Sequence, residues 1–254
     1  MNIVITAGGT SEHIDAVRAI TNTGTGTLAS IIANKFVDYH YGEFNKIFYI
    51  HTTNAKLPDD SDKIELIQVE DTMSVYNAVQ KVLKENKIDY FIHAMAISDY
   101  YVDFVSTADR VVKSITHSLN VADDKCIELR PDDVAKTFLK GENRLDNSKK
   151  LSSNEDNLVV VLRKTPKIIG SIKEISPDTR LIGFKLLNNV SVQELVDVAY
   201  ALLMKNSCDY VIANDSNKIT RYYHEAHFVD KNKNYTTVYS NEDIAKKLIE
   251  IIFD

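Results

Sequence analysis

The sequence predicts an α/β fold, with a Rossmann-like, doubly wound and largely parallel sheet covered by helices on both faces. Short runs of β-branched and aromatic residues, typical of buried strands, alternate with segments that carry apolar residues at helical spacing. The predicted strands are residues 3–6, 46–50, 64–69, 90–94, 158–162, 181–184 and 210–213. The predicted helices between them are residues 28–36, 72–85, 166–175 and 192–204. Parallel neighbours need a crossover of about a dozen residues, so this alternation favours a parallel sheet that binds ligands at its carboxyl edge.

Two regions depart from this rhythm. Residues 102–147 are polar and weakly helical, with a helix start at Pro131, and we interpret them as an inserted flap or dimerisation segment. Residues 226–230 and 235–239 flank a polar turn, which predicts an antiparallel hairpin at the sheet edge. Residues 241–253 carry one apolar stripe and predict a docked terminal helix. We expect residues 1–254 to form one domain with this insertion.

Composition excludes several classes of protein. The chain has 254 residues, of which 44% are hydrophobic and 26% charged, as in an average globular protein. Its net charge of -6 argues against nucleic-acid binding, which needs a basic face. It contains neither a run of about 18 apolar residues nor a secretory signal pattern, so we expect no membrane partner and a cytoplasmic location. Cys126 and Cys208 lie far apart, which favours core thiols over a disulfide or zinc site.

Two glycine loops are candidate anion sites. The first predicted strand ends in Ala7-Gly8-Gly9-Thr10, where the lack of a Cβ lets backbone N–H groups approach a phosphate or carboxylate. The second loop includes Gly24, Thr25, Gly26 and Thr27 and leads directly into the helix at residues 28–36. The alternatives are a tight turn for the first loop and a flexible helix entry with threonine capping for the second.

The second loop also matches the dinucleotide-binding fingerprint as Gly24-x-Gly26-x-x-Ala29, so an NAD(P)-dependent reductase is a rival interpretation. That fingerprint should follow a strand directly, whereas the residues before Gly24 are polar. The chain also has no Tyr-x-x-x-Lys pair. A nucleotide-binding regulator without catalytic activity is a further alternative.

Other polar residues lie where ligands gather in such a sheet. Asp15 and Arg18 are three residues apart and would meet on one face of a helix. The alternative is a simple surface ion pair without a role in binding. Asp99 follows the strand at residues 90–94 and can bind ribose hydroxyls or magnesium, or cap the following helix or turn. Lys164 and Lys167 flank Pro166, which predicts a helix start and another anion site.

The strands at residues 181–184 and 210–213 end in groups suited to a nucleotide base. Phe184 can stack on a base, and Asn214 can hydrogen bond to one, although each taken alone fits a core or capping role equally well. The seven histidines show no metal-ligand spacing, and the chain has no Walker sequence or Gly-x-Ser-x-Gly.

Read in order, these motifs resemble the phosphopantothenoylcysteine synthetase family, in its stand-alone bacterial form. The resemblance rests on Ile5 to Thr10, on Asp15-x-Val17-Arg18-x-Ile20-Thr21-Asn22-x-Gly24-x-Gly26 and on Ala96-Ile97-Ser98-Asp99-Tyr100. It continues through Lys164-Thr165-Pro166-Lys167-Ile168, Gly183-Phe184-Lys185 and Ala213-Asn214-Asp215. It implies a homodimeric ligase that uses CTP in preference to ATP, with Mg2+, to activate 4'-phosphopantothenate as an acyl-nucleotide before L-cysteine forms the amide.

The resemblance also implies roles for individual residues. Asn22 and Lys150 would be catalytic, with Asn22 holding the acyl phosphate. The implied substrate-binding residues are Gly8, Gly9, Arg18, Gly24, Thr25, Gly26 and Thr27. The implied nucleotide-binding residues are His93, Ala94, Met95, Asp99, Lys150, Pro166, Lys167, Ile168, Ile169, Phe184, Lys185, Lys205 and Asn214. Mg2+ would be held mainly by the nucleotide phosphates, so its protein ligands stay unassigned.

Two departures from the family pattern concern lysines. The family's Lys-x-Lys-Lys stretch occurs here as Lys150-Leu151-Ser152-Ser153, with Lys149 as a partial substitute. A lysine one helical turn before Lys205 is replaced by Ala201. We therefore expect Lys185, Lys167 or the inserted segment to complete the phosphate site.

Overall fold

The computed structural model describes residues 1–120, 131–140 and 143–253. Cys126 lies outside these ranges, and Cys208 is a buried free thiol, as expected for a core cysteine. The strands are β1 Asn2–Ala7, β2 Ser11–His13, β3 Ala19–Thr21, β4 Lys46–Thr52, β5 Ile64–Val69, β6 Tyr90–His93, β7 Tyr100–Thr107, β8 Leu158–Lys164, β9 Arg180–Leu187, β10 Tyr210–Ile219, β11 His224–Val229 and β12 Tyr235–Val238. The helices are α1 Thr27–His40, α2 Thr72–Glu85, α3 Ala108–Asn120, α4 Pro131–Leu139, α5 Ile168–Ile175, α6 Val192–Asn206 and α7 Asn241–Phe253.

The chain divides into two compact units. The first unit comprises Met1–Thr10, Asn22–Ile97 and Pro166–Asp254, and the second comprises Ser11–Thr21 and Ser98–Thr165. The second unit therefore extends beyond the predicted insertion at residues 102–147 on both sides and includes a short hairpin from near the N-terminus. One domain for the whole chain stays a prediction.

The first unit contains an eight-stranded sheet in the order β12-β11-β10-β9-β6-β1-β4-β5. The six strands from β10 to β5 are parallel, which confirms the predicted Rossmann-like, doubly wound sheet. Counted among themselves in chain order, the parallel strands run 3-2-1-4-5-6. The order reverses between β1 and β6, and ligands of such sheets bind in the crevice beyond the carboxyl ends at that point.

The sheet is covered by helices on both faces, because successive apolar residues of its strands point to opposite faces and belong to two different core clusters. In β1, Ile3 and Ile5 belong to a core cluster that includes residues of α1 and α7, whereas Val4 belongs to a second cluster with residues of α2, α5 and α6. The predicted edge hairpin is confirmed, since β11 pairs antiparallel with both β10 and β12. The predicted terminal helix is confirmed as α7.

The second unit has a two-stranded sheet of its own. β7 and β8 pair antiparallel, so the predicted strand at residues 158–162 exists but does not belong to the parallel sheet. The sequence does not predict β7, because most of this strand falls within the predicted insertion at residues 102–147. Phe104 of β7 packs beside Phe138 of α4 with ring centroids 6.0 Å apart, and the Arg144 guanidinium lies 4.8 Å from the Phe104 ring centroid.

Among residues 1–120, 131–140 and 143–253, none of the helices is both long and apolar enough to span a bilayer.

Candidate functional site

The two glycine loops form one closely packed cradle at the carboxyl end of β1. The chain leaves the first unit after Thr10 and returns at Asn22, where the Asn22 N–H donates to the Thr10 carbonyl at 3.0 Å. A Cβ on Gly9 would overlap the Asn22 carbonyl oxygen and lie 2.9 Å from the Gly24 nitrogen. A Cβ on Gly24 would lie 2.5 Å from the Gly8 carbonyl oxygen. Only glycine fits these two positions, so the loops predicted from the sequence come together as backbone against backbone.

Positive φ angles explain the other two glycines of the cradle. Gly8 has a φ of 95° and Gly26 a φ of 70°, a region that side chains with a Cβ rarely adopt. Gly26 is the N-cap of α1 and supplies no side-chain acceptor, and the first turn of α1 has no acidic residue. The positive end of the α1 dipole is therefore open to an anion, which agrees with the predicted anion site. The N-cap position holds glycine and not threonine, and the nearest threonine contact is from the Thr27 N–H to the Thr25 hydroxyl at 3.4 Å.

Asn22 is anchored beside the point where the strand order reverses. Its side-chain amide donates to the Ala96 carbonyl at 3.1 Å. The Ala96 N–H donates in turn to the Gly8 carbonyl at 2.9 Å, and the Thr10 N–H donates to the Ala96 carbonyl at 3.0 Å. An asparagine amide nitrogen carries two hydrogens, so the contact with Ala96 fixes the side chain and leaves a second hydrogen for a ligand.

The carboxyl end of β6 is tied to β1 by Thr6 and His93. The Thr6 hydroxyl lies 3.0 Å from the His93 Nδ1 and accepts a hydrogen bond from the Met95 N–H at 3.1 Å. Burial lowers the pKa of His93 to about 4. His93 is thus neutral near pH 7 and orders the backbone of residues 93–95 without adding positive charge.

The depressed pKa of His93 predicts a pH dependence of stability. The unfolded protein binds the proton below a pKa of about 6.5 and the folded protein only below about 4, so stability falls as the pH drops from 6.5 to 4. The free energy of unfolding should fall between pH 7.5 and pH 5.5 by about 1 kcal/mol less in His93→Asn than in the parent protein. The asparagine keeps a hydrogen-bonding group near Thr6. Urea unfolding at both pH values measures this difference. The exposed His117→Asn serves as control and should keep the parent slope; an unchanged slope in His93→Asn would contradict the assignment.

Residues predicted to bind the nucleotide also lie at this edge. Gly183 is the last residue of β9 that pairs with β6, opposite His93, so Phe184 and Lys185 lie beyond the end of β6. Asn214 pairs with Leu186 one strand further along. Asn214 is buried, and its Oδ1 has no hydrogen-bond partner among the residues that the structure describes.

The turn at residues 166–169 leads into α5, whose N-terminus also faces the carboxyl edge because α5 precedes β9. The predicted helix start at Pro166 is wrong by two residues: Lys167 is the N-cap, in an extended conformation, and the helix begins at Ile168. Lys167 and Pro166 are exposed and Ile168 is buried, so the turn presents its lysine at the first turn of the helix while its isoleucine packs into the core.

Lys205 does not join these residues. It lies in the last turn of α6, which runs back from the carboxyl ends of the strands to the start of β10 at the amino edge. A helix of this length spans roughly 22 Å at about 1.5 Å per residue. Within this unit Lys205 is therefore at the opposite edge of the sheet from the glycine cradle, and we correct its assignment to the nucleotide site.

Arg18 and Lys150 belong to the second unit, where Asp15 connects the segments that carry them. The Asp15 carboxylate accepts from the Arg18 Nε at 2.9 Å and from the Leu151 N–H at 3.1 Å. It also accepts from the backbone N–H groups of Val17 and Arg18, each at 2.9 Å. The predicted helical pair is wrong, because residues 14–18 form the loop of the β2–β3 hairpin. The side chain of Asp15 accepts from its own loop, which competes with helix formation.

Contacts with this loop and with Leu151 hold Asp15 ionised. The hydrogen bond from Arg18 lowers the pKa of Asp15 far below its usual value, against the opposing effect of burial, and the N–H groups of Val17 and Leu151 lower it further. Asp15 is 2% exposed. It ties the position of Lys150, the residue before Leu151, to the hairpin that carries Arg18.

We expect Asp15→Asn to lower turnover by about tenfold, because an amide nitrogen cannot accept from both Arg18 and Leu151 and the Lys150 segment is released. Steady-state assays should show a loss in kcat with the fold retained by circular dichroism. Asp146→Asn is the matched control, since within the described part of the chain the Asp146 carboxylate accepts hydrogen bonds from Ser148 alone. Equal kcat in Asp15→Asn and the control would contradict a positioning role for Asp15.

Asp99 lies at the start of β7 in the second unit. Its carbonyl accepts from the Thr165 N–H at 3.1 Å, and the Thr165 hydroxyl donates to the Ser98 carbonyl at 2.7 Å. A strand follows Asp99, so it does not cap a helix, and the alternative that it caps a turn stays open. Its exposed side chain remains a candidate ligand contact.

No group of three or more His, Cys, Asp or Glu side chains in the described parts of the chain is placed to hold a metal ion. The residues present do not form a protein cage for Mg2+, and we derive no step through a protein-held metal.

Sequence reasoning missed three contributors to this edge. Thr6 and Ala96 act through one hydroxyl and one carbonyl, and such contacts leave no residue-type signal. Thr52 lies against Gly8, where a Cβ would overlap its hydroxyl oxygen. The position of Thr52 just after the buried run of β4 was the available signal, since the ends of parallel strands meet at one edge.

The fold and the glycine cradle define an α/β protein with a candidate anion site at the carboxyl edge of its sheet. Residues 1–127 and 142–254 match the family model of the DNA/pantothenate metabolism flavoprotein C-terminal domain. The chain belongs to this family, and the resemblance to phosphopantothenoylcysteine synthetase is confirmed.

Three known proteins illustrate the similarity. The coenzyme A biosynthesis bifunctional protein CoaBC of Thermococcus kodakarensis is 28% identical over 212 residues, covering 84% of this chain and 40% of that protein. This chain thus spans less than half the length of that relative. The crystal structure of the DNA/pantothenate metabolism flavoprotein from Streptococcus pneumoniae is 34% identical, with a TM-score of 0.79 and coverage of 99% and 98% of the two chains. A Cab2 mutant solved in complex with phosphopantothenate-cysteine is 16% identical with a TM-score of 0.66, covers 98% of this chain and 85% of its own, and shows similarity of fold.

Proposed function

We propose that this chain joins 4'-phosphopantothenate to L-cysteine through an acyl-nucleotide intermediate, with CTP preferred over ATP. The observation that carries the proposal is the anchored Asn22 amide in a cradle that only glycine can form, at the point where the strand order reverses. The family and the coenzyme A biosynthesis proteins among its relatives support the same chemistry.

In the first step, a carboxylate oxygen of phosphopantothenate attacks the α-phosphorus of the nucleotide and pyrophosphate leaves. In the second step, the deprotonated amine of cysteine attacks the acyl carbon and the nucleoside monophosphate leaves. Neither step needs a nucleophile from the protein. The protein instead orients two anionic substrates and stabilises the charge that develops between them.

Residues of each unit have proposed tasks in these steps. The α1 N-terminus and the backbone of the glycine cradle bind an anionic group of phosphopantothenate, and Asn22 donates to the acyl phosphate. Phe184 stacks on the base, Asn214 supplies a buried acceptor, and Lys167 and Lys185 supply positive charge. In the second unit, taken by itself, Arg18 has a proposed role in substrate binding, and Asp99 and Lys150 have proposed roles in nucleotide binding. Mg2+ enters bound to the nucleotide phosphates, where it neutralises charge.

Two broader assignments are proposals as well. We propose that the chain works as a homodimer, in which residues 102–147 act as a flap or dimer contact, and that it acts in the cytoplasm. Light scattering that gives a mass of twice 28.7 kDa would support the dimer. A monomer with full activity would contradict it.

The test of the ligase proposal is pyrophosphate release from CTP and, separately, from ATP, with 4'-phosphopantothenate and Mg2+, with and without cysteine. We expect release to depend on phosphopantothenate and to be faster with CTP, and the amide product to appear only with cysteine. Faster release from ATP would reverse the nucleotide preference. No release from either nucleotide would contradict the ligase and favour a non-catalytic nucleotide-binding regulator or, if NADPH binds, a reductase.

A further inference from the structure

A second cleft opens in the first unit at the amino edge of the parallel sheet, opposite the glycine cradle. Its floor is formed where three strands begin, at Tyr90 of β6, Arg180 of β9 and Tyr210 of β10. Lys231 and Asn232 of the β11–β12 turn lie on one side, and Ile251 of α7 lies on another. Neither the proposed reaction nor the sequence motifs use this cleft.

Arg180 supplies an unopposed positive charge in this cleft. Its guanidinium donates to the Tyr90 hydroxyl at 3.1 Å and lies 5.6 Å from the centroid of the Tyr90 ring. Within the described residues it forms no ion pair with a carboxylate. A guanidinium has five N–H donors, so most of them are available to a ligand, and contact with the ring limits the freedom of the side chain.

The two carboxylates that line the cleft, Asp209 and Asp230, are paired with lysines or with backbone N–H groups. Asp209 lies 2.8 Å from the Lys231 Nζ and 3.5 Å from the Lys173 Nζ, and it accepts from the Leu181 N–H at 2.8 Å. Asp230 accepts from the backbone N–H groups of Asn232 and Asn234 at 2.9 and 2.8 Å, which closes the β11–β12 turn.

The size and walls of the cleft indicate what it can hold. Its volume is about 250 Å³. This lies between the roughly 150 Å³ of a cavity that binds benzene and the roughly 300 Å³ at which pockets for drug-sized ligands begin. The lining is more polar than apolar: two tyrosines and Ile251 supply its apolar part, and Arg180 gives it one strong donor group that matches a carboxylate or phosphate.

We propose that this cleft binds a small organic anion, a carboxylate or phosphate monoester attached to a flat apolar body, and that Arg180 recognises its charge. The site is separate from the substrate site of the proposed ligase, since it lies at the other edge of the same sheet.

The test is isothermal titration of the full chain with benzoate and with phenyl phosphate, each in the absence and presence of saturating 4'-phosphopantothenate. We expect saturable binding of both probes that phosphopantothenate does not displace. The neutral analogue benzamide should bind at least tenfold more weakly. Inorganic phosphate should bind more weakly than phenyl phosphate; equal binding would show that the apolar walls are not used and would overturn the proposal.

Two variants locate the site. Arg180→Met should weaken both probes at least tenfold, whereas Arg221→Met should leave them unchanged. Arg221 is a matched control, because it is also exposed and lies 5.4 Å from the centroid of a tyrosine ring, that of Tyr222. Asn232→Glu, on an exposed turn whose backbone contacts it keeps, should weaken both probes about threefold by adding a negative charge. Parent-like affinity in both Arg180→Met and Asn232→Glu, or displacement of the probes by phosphopantothenate, would overturn the proposal.

Discussion

Gly9→Ala is expected to lower turnover more than 100-fold and to destabilise the protein by about 1 to 3 kcal/mol. The new Cβ would overlap the Asn22 carbonyl oxygen and approach the Asn22 carbonyl carbon to 2.7 Å. Both atoms belong to the backbone, so neither can rotate away as a side chain does. The return segment must move, and Asn22 moves with it, away from the Ala96 carbonyl.

The measurements for Gly9→Ala are urea unfolding and steady-state product formation. Gly170→Ala is the matched control, because Gly170 lies within α5 and its Cβ would meet only the Asn206 Oδ1 at an ordinary 3.5 Å. The control should keep its activity, and its free energy of unfolding should rise by up to about 1 kcal/mol, because alanine is more stable than glycine inside a helix. A Gly9→Ala protein with parent-like turnover would show that the close packing of the two loops is unnecessary for the reaction.

The central sheet could be predicted because its signals are local. Buried parallel strands such as β1, β4 and β6 appear as short runs of apolar residues, and amphipathic helices such as α2 show their own period. The glycine loops were visible for the same reason, because glycine pairs mark places where backbones approach closely.

The second unit could not be predicted in the same way, because strand pairing is not local. The run at residues 158–162 has the composition of a buried strand, yet it pairs with β7, some fifty residues earlier in the chain, outside the main sheet. Nothing in the run itself distinguishes these partners. The aromatic and β-branched residues of β7 were a usable signal that the polar residues around them obscured.

Errors at the site have physical causes of the same kind. The spacing of Asp15 and Arg18 fits a helix, but the Asp15 carboxylate binds the N–H groups of its own loop. Lys205 follows an apolar helix as the resemblance implies, but the direction of α6 places it at the amino edge. Composition does not specify which end of a helix faces the ligand; the order of the strands does.

Asn22→Asp is expected to lower amide formation by about 100-fold to 1000-fold, the range seen when one preorganised donor to a developing charge is removed. The Asn22 amide donates to the Ala96 carbonyl at 3.1 Å, and a carboxylate at this position can donate neither there nor to an acyl phosphate. It would also repel the partial negative charge of the Ala96 carbonyl oxygen and the full charge of the acyl phosphate. We expect nucleotide binding to change less than threefold, because Asn22 is not among the residues predicted to bind the nucleotide. Product formation and nucleotide affinity are measured on the same preparation.

Asn45→Asp provides the control for Asn22→Asp, since it adds the same charge at an exposed residue just before β4, at the amino edge. Full turnover in Asn22→Asp would remove Asn22 from the reaction and leave the glycine cradle as a binding element alone.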